Sequence, residues 1–352
     1  MQYFHPSLTL PIKGRENNSM KIKIAINGFG RIGRQFLAIA SKDHNLDVVA
    51  INNLTDTKTL AYLYKYDSVY GMHAGEIKAG DDFLEIDKKK IKVFAEKDPS
   101  VLPWKKLGID LVIESTGVFT DYDGAVKHLT AGAKKVIISA PPKGENIPTY
   151  VIGCNEKKYN KKEEHIISMA SCTTNALAPV AKILNDTFGI LKGEMTTIHS
   201  YTNDQKLLDL PHKDPRRARA AALSMIPTTT GATKSVEKVI PELIGKLSGL
   251  SVRIPTPAVS LVDFTFLSNK NTTKEEVNDV LHQAAKKELK NIVSVSDEPL
   301  VSIDYKQSPL SGIVDSLLTE VVDGNFVKVL VWYDNEWGYS TRLVELAEMV
   351  GK

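Results

Sequence analysis

The residues best suited to chemistry are a cysteine and a histidine in the middle of the chain. Cys172 is one of only two cysteines in 352 residues and lies in the polar run Ser171–Asn175. Apolar residues at helical spacing follow it, so the thiol lies where a helix begins. Free N–H groups and the positive end of the helix dipole favour the thiolate there. His199, 27 positions further on (199 minus 172), is a candidate base that would lower the thiol pKa and carry a proton. The polar neighbours favour a nucleophile over an apolar filler.

A second motif predicts a binding site for a dinucleotide. Gly28–Gly33 reads G-x-G-x-x-G and lies between a predicted strand at residues 22–26 and a predicted helix. A further strand at residues 47–51 completes a β-turn-α-β unit, in which the pyrophosphate binds at the helix N-terminus. Asn53, 20 positions after Gly33 (53 minus 33), stands where NAD-binding folds carry an acidic residue. An amide can bond a ribose hydroxyl without strongly repelling an extra phosphate, which predicts NAD with some use of NADP. The alternative is a turn-forming asparagine without a ligand.

These residues require a framework of alternating strands and helices. In the first half, strands are predicted at residues 22–26, 47–51, 91–94, 110–114 and 135–139, with a helix at 125–130, which indicates a parallel sheet covered by helices. After the Cys172 helix, longer strands rich in β-branched residues are predicted at 194–201, 250–254, 260–267, 292–296 and 327–333. Thr273–Glu276 forms a capping box for a helix to about residue 289. Residues 203–222 lack periodicity, and residues 338–350 return to helical spacing.

Composition excludes several classes of protein. A net charge of +3 gives no nucleic-acid footprint, and no apolar run reaches the length of a membrane span. Two cysteines cannot form a disulfide framework, which fits a reducing compartment. Residues 1–19 lack a continuous apolar segment, so we predict a disordered extension without a secretory signal, and a cytoplasmic protein. Cys154 lies in a strand-like context and is interpreted as structural.

Five motifs in order resemble one known family. They are Ile26–Arg34, Glu114–Gly117, Ala170–Asn175, His199–Gln205 and Trp332–Glu336. The chain resembles phosphorylating glyceraldehyde-3-phosphate dehydrogenase over about residues 21–350. The resemblance implies an α/β fold with a Rossmann-type dinucleotide-binding domain at 20–171, completed by a C-terminal helix at 336–352. It also implies an α+β catalytic domain at 172–335 with a mixed, mostly antiparallel sheet, a homotetramer, and a reaction that uses NAD but no metal.

The resemblance also implies a glycolytic or gluconeogenic reaction. Cys172 attacks the aldehyde of D-glyceraldehyde 3-phosphate to form a thiohemiacetal, and His199 takes the hydroxyl proton as hydride passes to NAD. Inorganic phosphate then attacks the resulting thioester and releases 1,3-bisphosphoglycerate. The backbone N–H of Cys172 is placed to stabilise the oxyanion.

Two sets of site residues are implied in the same way. Thr202 and Arg253 bind the substrate phosphate, and the attacking phosphate is bound by Ser171, Thr173, Arg217, Thr230 and Gly231, with Arg219 as an alternative to Arg217. The cofactor is bound by Asn27, Gly28, Phe29, Gly30, Arg31, Ile32, Asn53, Lys97, Ser115, Thr116, Ser139 and Asn335. Three departures from the family pattern are Asn53 for the usual aspartate, Lys97 for the commoner arginine, and Ala176 for a second cysteine. Leu210-Pro211 is similar to the NAD-using members.

Three alternatives to this activity are open. An erythrose-4-phosphate dehydrogenase shares the fold and the Cys/His pair, and turnover on the two aldehydes with and without phosphate separates the two. A non-catalytic nucleotide-binding or interaction protein would not need the intact Cys172/His199 pair. A Cys/His hydrolase would leave the glycine turn without a role.

Overall fold

The computed structural model describes residues 21–43 and 45–352. The extension predicted at residues 1–19 lies outside the described residues. The helices are α1 (Arg31–Ala40), α2 (Thr57–Lys65), α3 (Trp104–Leu107), α4 (Tyr122–Thr130), α5 (Cys172–Phe188), α6 (Ala232–Val239), α7 (Lys274–Lys286) and α8 (Trp337–Gly351). The strands are β1 (Ile22–Asn27), β2 (Leu46–Asn52), β3 (Tyr66–Asp67), β4 (Gly71–Met72), β5 (Ile77–Ala79), β6 (Phe83–Ile86), β7 (Lys89–Phe94), β8 (Leu111–Glu114), β9 (Lys135–Ile138), β10 (Ile166–Ser168), β11 (Ile190–Ser200), β12 (Ile226–Thr228), β13 (Leu247–Ile254), β14 (Ser260–Ser268), β15 (Val293–Ser296), β16 (Gly312–Asp315), β17 (Glu320–Val322) and β18 (Phe326–Tyr333).

The first sheet has the strand order β10-β9-β8-β1-β2-β7-β6-β5. The strands from β10 to β7 pair in parallel, whereas β6 and β5 add an antiparallel edge. The apolar runs of β1, β8 and β9 are almost fully buried, as expected for a sheet covered on both faces. The parallel sheet predicted from the alternation of strands and helices is confirmed; the antiparallel edge was not predicted.

The second sheet is mixed, with the order β12-β13-β11-β14-β18-β16-β15 and with β17 paired to β18. Only the pairs β11–β13 and β15–β16 run parallel within this described sheet. The α/β fold with a mixed, mostly antiparallel second sheet is therefore confirmed. Helices α5, α6 and α7 pack on this sheet around a core that includes Leu177, Val236, Phe264 and Val331.

Helix α8 returns to the first sheet. Its residues Leu343, Leu346 and Ala347 are fully buried in the same core as Ile24 and Phe36 of β1 and α1. The amphipathic pattern at residues 338–350 thus forms a helix that completes the core of the first sheet, although it lies at the other end of the chain.

Short-range interactions determine where α7 begins and where α5 ends. Thr273 accepts a hydrogen bond from the N–H of Glu276, and the Glu276 carboxylate accepts one from the N–H of Thr273, so the capping box of α7 is confirmed. Gly189 follows α5 with φ of +73° and ends that helix, since a residue with a Cβ rarely adopts this conformation. The strand-like interpretation of Cys154 is wrong, because this residue lies in a hydrogen-bonded turn in which its N–H donates to the carbonyl of Val151.

Candidate active site

The candidate nucleophile is the first residue of α5. Ser171 caps this helix, because its hydroxyl oxygen accepts the N–H of Thr174 at 3.1 Å. Cys172 is half-buried, and its side chain packs against both the core of the first sheet and the core of the second. The predicted position of the thiol at a helix N-terminus is confirmed, and the thiol lies where the two cores meet.

The candidate base lies on the neighbouring strand β11. Nε2 of His199 is 3.5 Å from Sγ of Cys172, so the predicted pair is in contact. His199 is 4% exposed and faces the edge of the Tyr333 ring. In the parallel register of β11 and β13, His199 lies opposite Arg253, which brings a guanidinium to the far side of the imidazole. The imidazole of His199 therefore lies between the thiol of Cys172 and the guanidinium of Arg253.

The tautomer of His199 follows from its second nitrogen. Nδ1 is 2.7 Å from the carbonyl oxygen of Ser200 and 2.6 Å from Nη1 of Arg253. A guanidinium can only donate, so Nδ1 must accept from Arg253 while this contact is made. Nη1 of Arg253 also donates to the Ser200 carbonyl at 3.2 Å. The proton of the neutral imidazole then sits on Nε2 and points at the sulfur.

Burial controls the charge of both groups in the free protein. Burial raises the pKa of the Cys172 thiol, and the positive charge of Arg253 is the largest opposing influence. Burial, together with Arg253, lowers the pKa of His199 to about 3. Burial of the thiol therefore opposes the lowered pKa that the helix N-terminus predicts for Cys172.

Tyr333 is a site residue that sequence reasoning missed. Its buried hydroxyl is 2.9 Å from the Thr173 hydroxyl and 2.8 Å from that of Thr197. These contacts tie the first turn of α5 to β11, and so they fix the thiol relative to His199. The only signal in the sequence is its place at the end of a predicted strand, inside the motif Trp332–Glu336.

The implied phosphate-binding residues fall into two groups. Arg253, Ser171 and Thr173 lie at the thiol. Arg217 lies with the loop before Thr230, because its guanidinium donates to the Thr228 hydroxyl at 2.7 Å and to the Thr229 carbonyl at 3.2 Å. Burial lowers the pKa of Arg253, and the charge of Arg217 is a smaller contribution in the same direction.

The remaining members of these sets have local partners. Arg217 also forms an ion pair of 2.6 Å with Asp204, so its donors are engaged in the free protein. The N–H and hydroxyl of Thr202 bond Oε1 of Gln205, and the Thr230 hydroxyl accepts the N–H of Ala232 just after Gly231. Arg219, the alternative, is exposed and pairs with Asp209.

The glycine turn fits a dinucleotide pyrophosphate. A Cβ on Gly28 would lie 2.7 Å from backbone atoms of Ser115 and Thr116, so only glycine allows the two loops to approach. A Cβ on Gly30 would meet open space, which leaves the turn accessible. Helix α1 begins after Gly30 without a side-chain cap and without an acidic residue in its first turn. Its N–H groups therefore suit an anionic ligand.

The two loops of the candidate cofactor site are connected. The Ser115 hydroxyl donates to the Gly28 carbonyl at 2.7 Å. The side chain of Asn53 supports the glycine turn, because its Oδ1 accepts the N–H of Phe29 at 3.1 Å. The NH₂ group of the same side chain is left for other partners. Asn27 lies buried beneath them at the end of β1. The residues predicted from the first and second motifs are thus brought together.

Other predicted cofactor residues lie around this centre. Lys97 is exposed after Glu96, whose backbone is held by Asn52, and the N–H of Ser139 donates to the Glu114 carbonyl. Oδ1 of Asn335 accepts from Ser260, whose hydroxyl in turn accepts the N–H of Ser200. The side chain of Arg31, next to Ile32, is turned to ion pairs with Asp67 and Glu336 at 2.6 and 2.5 Å, so only its backbone faces the turn.

A dinucleotide-type turn combined with a paired cysteine and histidine indicates the class of NAD-dependent oxidoreductases. Residues 22–122 match the family model described as the glyceraldehyde 3-phosphate dehydrogenase NAD binding domain, and residues 171–335 match its C-terminal domain. The chain belongs to the glyceraldehyde-3-phosphate dehydrogenase family. The resemblance stated from the five motifs is thereby confirmed.

Relatives are similar over nearly their whole length. The chain is 57% identical to a glyceraldehyde-3-phosphate dehydrogenase of Geobacillus stearothermophilus over 331 residues, which is 94% of this chain and 98% of the relative. It is 55% identical to a glyceraldehyde-3-phosphate dehydrogenase of Bacillus subtilis over 95% of this chain and 99% of the relative. A chloroplastic glyceraldehyde-3-phosphate dehydrogenase of Arabidopsis thaliana is 55% identical over 94% of this chain and 84% of the relative.

Within residues 21–43 and 45–352, no cluster of three or more His, Cys, Asp or Glu residues could hold a metal ion. In the same part of the chain, every helix is too short or too polar to cross a membrane.

Proposed function

We propose that the protein oxidises D-glyceraldehyde 3-phosphate with NAD and inorganic phosphate to 1,3-bisphosphoglycerate. The observation that carries this proposal is the 3.5 Å contact between Sγ of Cys172 and Nε2 of His199, at a helix N-terminus in a dinucleotide-binding protein. A thiol is the nucleophile suited to this reaction, because a thioester keeps the acyl group reactive enough for transfer to phosphate.

In the proposed reaction, Cys172 bonds the substrate covalently and His199 transfers protons. Sγ forms a bond to the aldehyde carbon, and the thiol proton passes through the imidazole to the carbonyl oxygen to give the thiohemiacetal. NAD, when bound, supplies the acceptor for the hydride that leaves this carbon. His199 removes the hydroxyl proton in the same oxidation, which leaves an acyl group on Sγ. A phosphate oxygen then bonds the acyl carbon, and the thiolate leaves with the electron pair of the C–S bond.

Arg253 links substrate binding to the basicity of His199. While its guanidinium contacts Nδ1, the imidazole proton sits on Nε2, and Nε2 cannot accept a proton from the substrate. A substrate phosphate on Arg253 and Thr202 neutralises this charge and competes for the guanidinium. Nδ1 can then take a proton from water and donate it to the Ser200 carbonyl, already 2.7 Å away, while Nε2 releases its own proton to water and becomes the base. Loss of the Arg253 charge also raises the pKa of His199, since that charge is the second cause of its depression after burial.

The attacking phosphate is assigned to Ser171, Thr173, Arg217, Thr230 and Gly231. Ser171 and Thr173 flank the nucleophile, whereas Arg217 is paired with Asp204 in the free protein. Phosphate must therefore displace the Asp204 carboxylate from Arg217 or share the guanidinium with it. This competition supports a phosphate site that is occupied only transiently.

The cofactor is assigned to the loops at the carboxyl ends of β1, β2 and β8, together with Lys97, Ser139 and Asn335. The free N–H groups at the start of α1 suit the pyrophosphate. Leu210-Pro211 is similar to the NAD-using members, whereas Asn53 carries no charge to repel a ribose phosphate, so we propose a preference for NAD with some use of NADP.

Domain limits and assembly are part of the proposal. The domains are residues 20–171 with 336–352, and residues 172–335. A homotetramer is supported by the loop at residues 203–222, in which Leu207, Leu208 and Leu210 are each more than half exposed. A cytoplasmic location is proposed from the cysteine usage alone.

Steady-state assays with the Cys172→Ser variant test the proposal. We expect turnover of glyceraldehyde 3-phosphate to be lost while calorimetry still detects NAD binding, because only the nucleophile changes. Turnover by the wild type should require phosphate or arsenate and exceed turnover of erythrose 4-phosphate. Equal rates on the triose without an added acceptor, or full activity of the variant, would overturn the proposal.

A further inference from the structure

The carboxylate of Glu114 is buried at the end of β8, directly beneath the candidate cofactor site. Glu114 is 1% exposed, yet it has no arginine or lysine partner among the described ion pairs. Four donors face it instead. Nδ2 of Asn27 donates at 2.6 Å and the N–H of Thr116 at 2.8 Å, and the Thr116 hydroxyl and Nε2 of His128 complete the set. Two carboxylate oxygens offer about four acceptor sites, so all are filled.

His128 is fixed in one tautomer by its second neighbour. This histidine is fully buried on α4, and its Nδ1 lies 3.1 Å from Nε1 of Trp104. An indole nitrogen can only donate, so Nδ1 of His128 must accept. The imidazole proton of the neutral ring is then on Nε2, and it donates to Glu114 at 3.1 Å. The chain of bonds runs in one direction, from Trp104 through His128 to Glu114.

The same network reaches the other loops of the candidate cofactor site. Oδ1 of Asn27 accepts from Asn52 at 2.7 Å, and Asn52 also bonds the backbone of Glu96, the neighbour of Lys97. On the opposite side, Glu114 fixes Thr116, in the loop that approaches Gly28 within the distance only glycine permits. The ends of β1, β2 and β8 are thus joined through buried side chains.

We propose that Glu114 and His128 are a positioning pair that holds the glycine turn and the Ser115–Thr116 loop at the spacing for the dinucleotide before it binds. This inference rests on the dinucleotide site of the proposed function. Loops held in this way lose less conformational freedom when the ligand arrives, which strengthens binding. A buried carboxylate also suits this position better than an amide, because every group that faces it is a donor.

The Glu114→Gln variant tests whether Glu114 acts through its hydrogen bonds or only through its size. The glutamine side chain has the same shape as that of glutamate. Its NH₂ group, however, must face either Thr116 or the side chains of Asn27 and His128, and all of these groups are donors. We expect the Kd for NAD, measured by calorimetry, to rise about tenfold or more. The KM for NAD should rise with it, while kcat at saturating NAD and the KM for the aldehyde stay within about twofold, because the Cys172 site is untouched.

Two substitutions of His128 supply the matched comparison. In His128→Gln the side-chain amide can accept from Trp104 and donate to Glu114 as the imidazole does, so NAD binding should stay within about threefold of the wild type. In His128→Leu both bonds are lost and the Kd should rise as in Glu114→Gln. His165→Leu, at an exposed histidine before the next strand of this sheet, should bind NAD normally.

The outcomes are separable from those of the proposed function. Normal NAD affinity in folded Glu114→Gln and His128→Leu overturns the positioning pair, whereas a wild type that binds no NAD overturns the proposed function instead. If the leucine variant does not fold, Trp104→Phe decides, because it removes the donor that fixes the His128 tautomer at a residue not assigned to the cofactor. It should weaken NAD binding in the wild type but add little in the Glu114→Gln background, because both changes act through the bond between His128 and Glu114. Additive losses overturn the inference.

Discussion

Replacement of Arg253 by glutamine should raise the pKa of the Cys172 thiol further. The Arg253 charge is the largest influence that favours the thiolate, and it acts across the imidazole ring through contacts of 2.6 Å and 3.5 Å. These contacts and the ring between them allow a separation of at most about 8 Å, at which a cation and a thiolate attract by about 2 kcal/mol at an effective dielectric constant of about 20. This corresponds to a pKa rise of about 1.5 units when the charge is removed. Below that pKa, the thiolate fraction should fall by roughly 30-fold.

The assay is the rate of alkylation by iodoacetamide between about pH 6 and pH 10, a range that brackets the ordinary thiol value. The comparison is made in a His199→Asn background, because loss of Arg253 raises the pKa of His199 and an imidazolium would then lower that of the thiol. Cys154→Ala leaves Cys172 as the single thiol among the two cysteines of the chain. The Arg253→Lys variant keeps the charge and serves as the control.

The expected result is a profile shifted to higher pH in Arg253→Gln but much less in Arg253→Lys. Superimposable profiles for glutamine and the parent would refute the reasoning, since they would mean that the guanidinium does not act on the sulfur. A shift of equal size in both variants would assign the effect to packing rather than to charge.

Three other changes have defined outcomes. His199→Asn should lower turnover by about 10²–10⁴-fold, the share of acid–base assistance, and full activity would remove His199 from the mechanism. Asn53→Asp should decrease kcat/KM for NADP relative to NAD, because a carboxylate repels the ribose phosphate; an unchanged ratio would show that the amide does not select the cofactor. Thr273→Ala should lower the free energy of unfolding by about 1 kcal/mol in urea titrations, because α7 loses its capping box, whereas kcat should not change.

Short-range patterns predicted most of the framework. The glycine turn, the helix that begins at Cys172 and the capping box at Thr273 each depend on residues within one turn or one β-turn-α unit, so they can be recognised without tertiary contacts. The long loop at residues 203–222 was also expected, because neither helical nor strand periodicity is present there. Short elements such as α3 and β10 were not predicted, since three or four residues carry too little pattern.

Long-range burial explains what the sequence did not reveal. The pKa of Cys172 depends on how completely two cores enclose it, and a helix N-terminus alone suggests the opposite direction. The contact of Arg253 with His199 arises from the register of β11 and β13, which are joined by a long connection. No local pattern predicts that His128 is buried or that it bonds Trp104, 24 positions away. The sequence identified which residues could do chemistry, but it did not reveal the burial and the charges around them.

The position of α8 bears on how this protein is made. Arg31 and Glu336, which pair beside the glycine turn, are 305 positions apart, and the last helix supplies the apolar residues that cover β1 and α1. During synthesis, the first sheet therefore leaves the ribosome with an uncovered hydrophobic face and must wait for nearly the whole chain before it closes. A nascent chain that stalls before Trp337 exposes this face to aggregation and to chaperones, so its maturation as a cofactor binder is postponed until α8 has been synthesised.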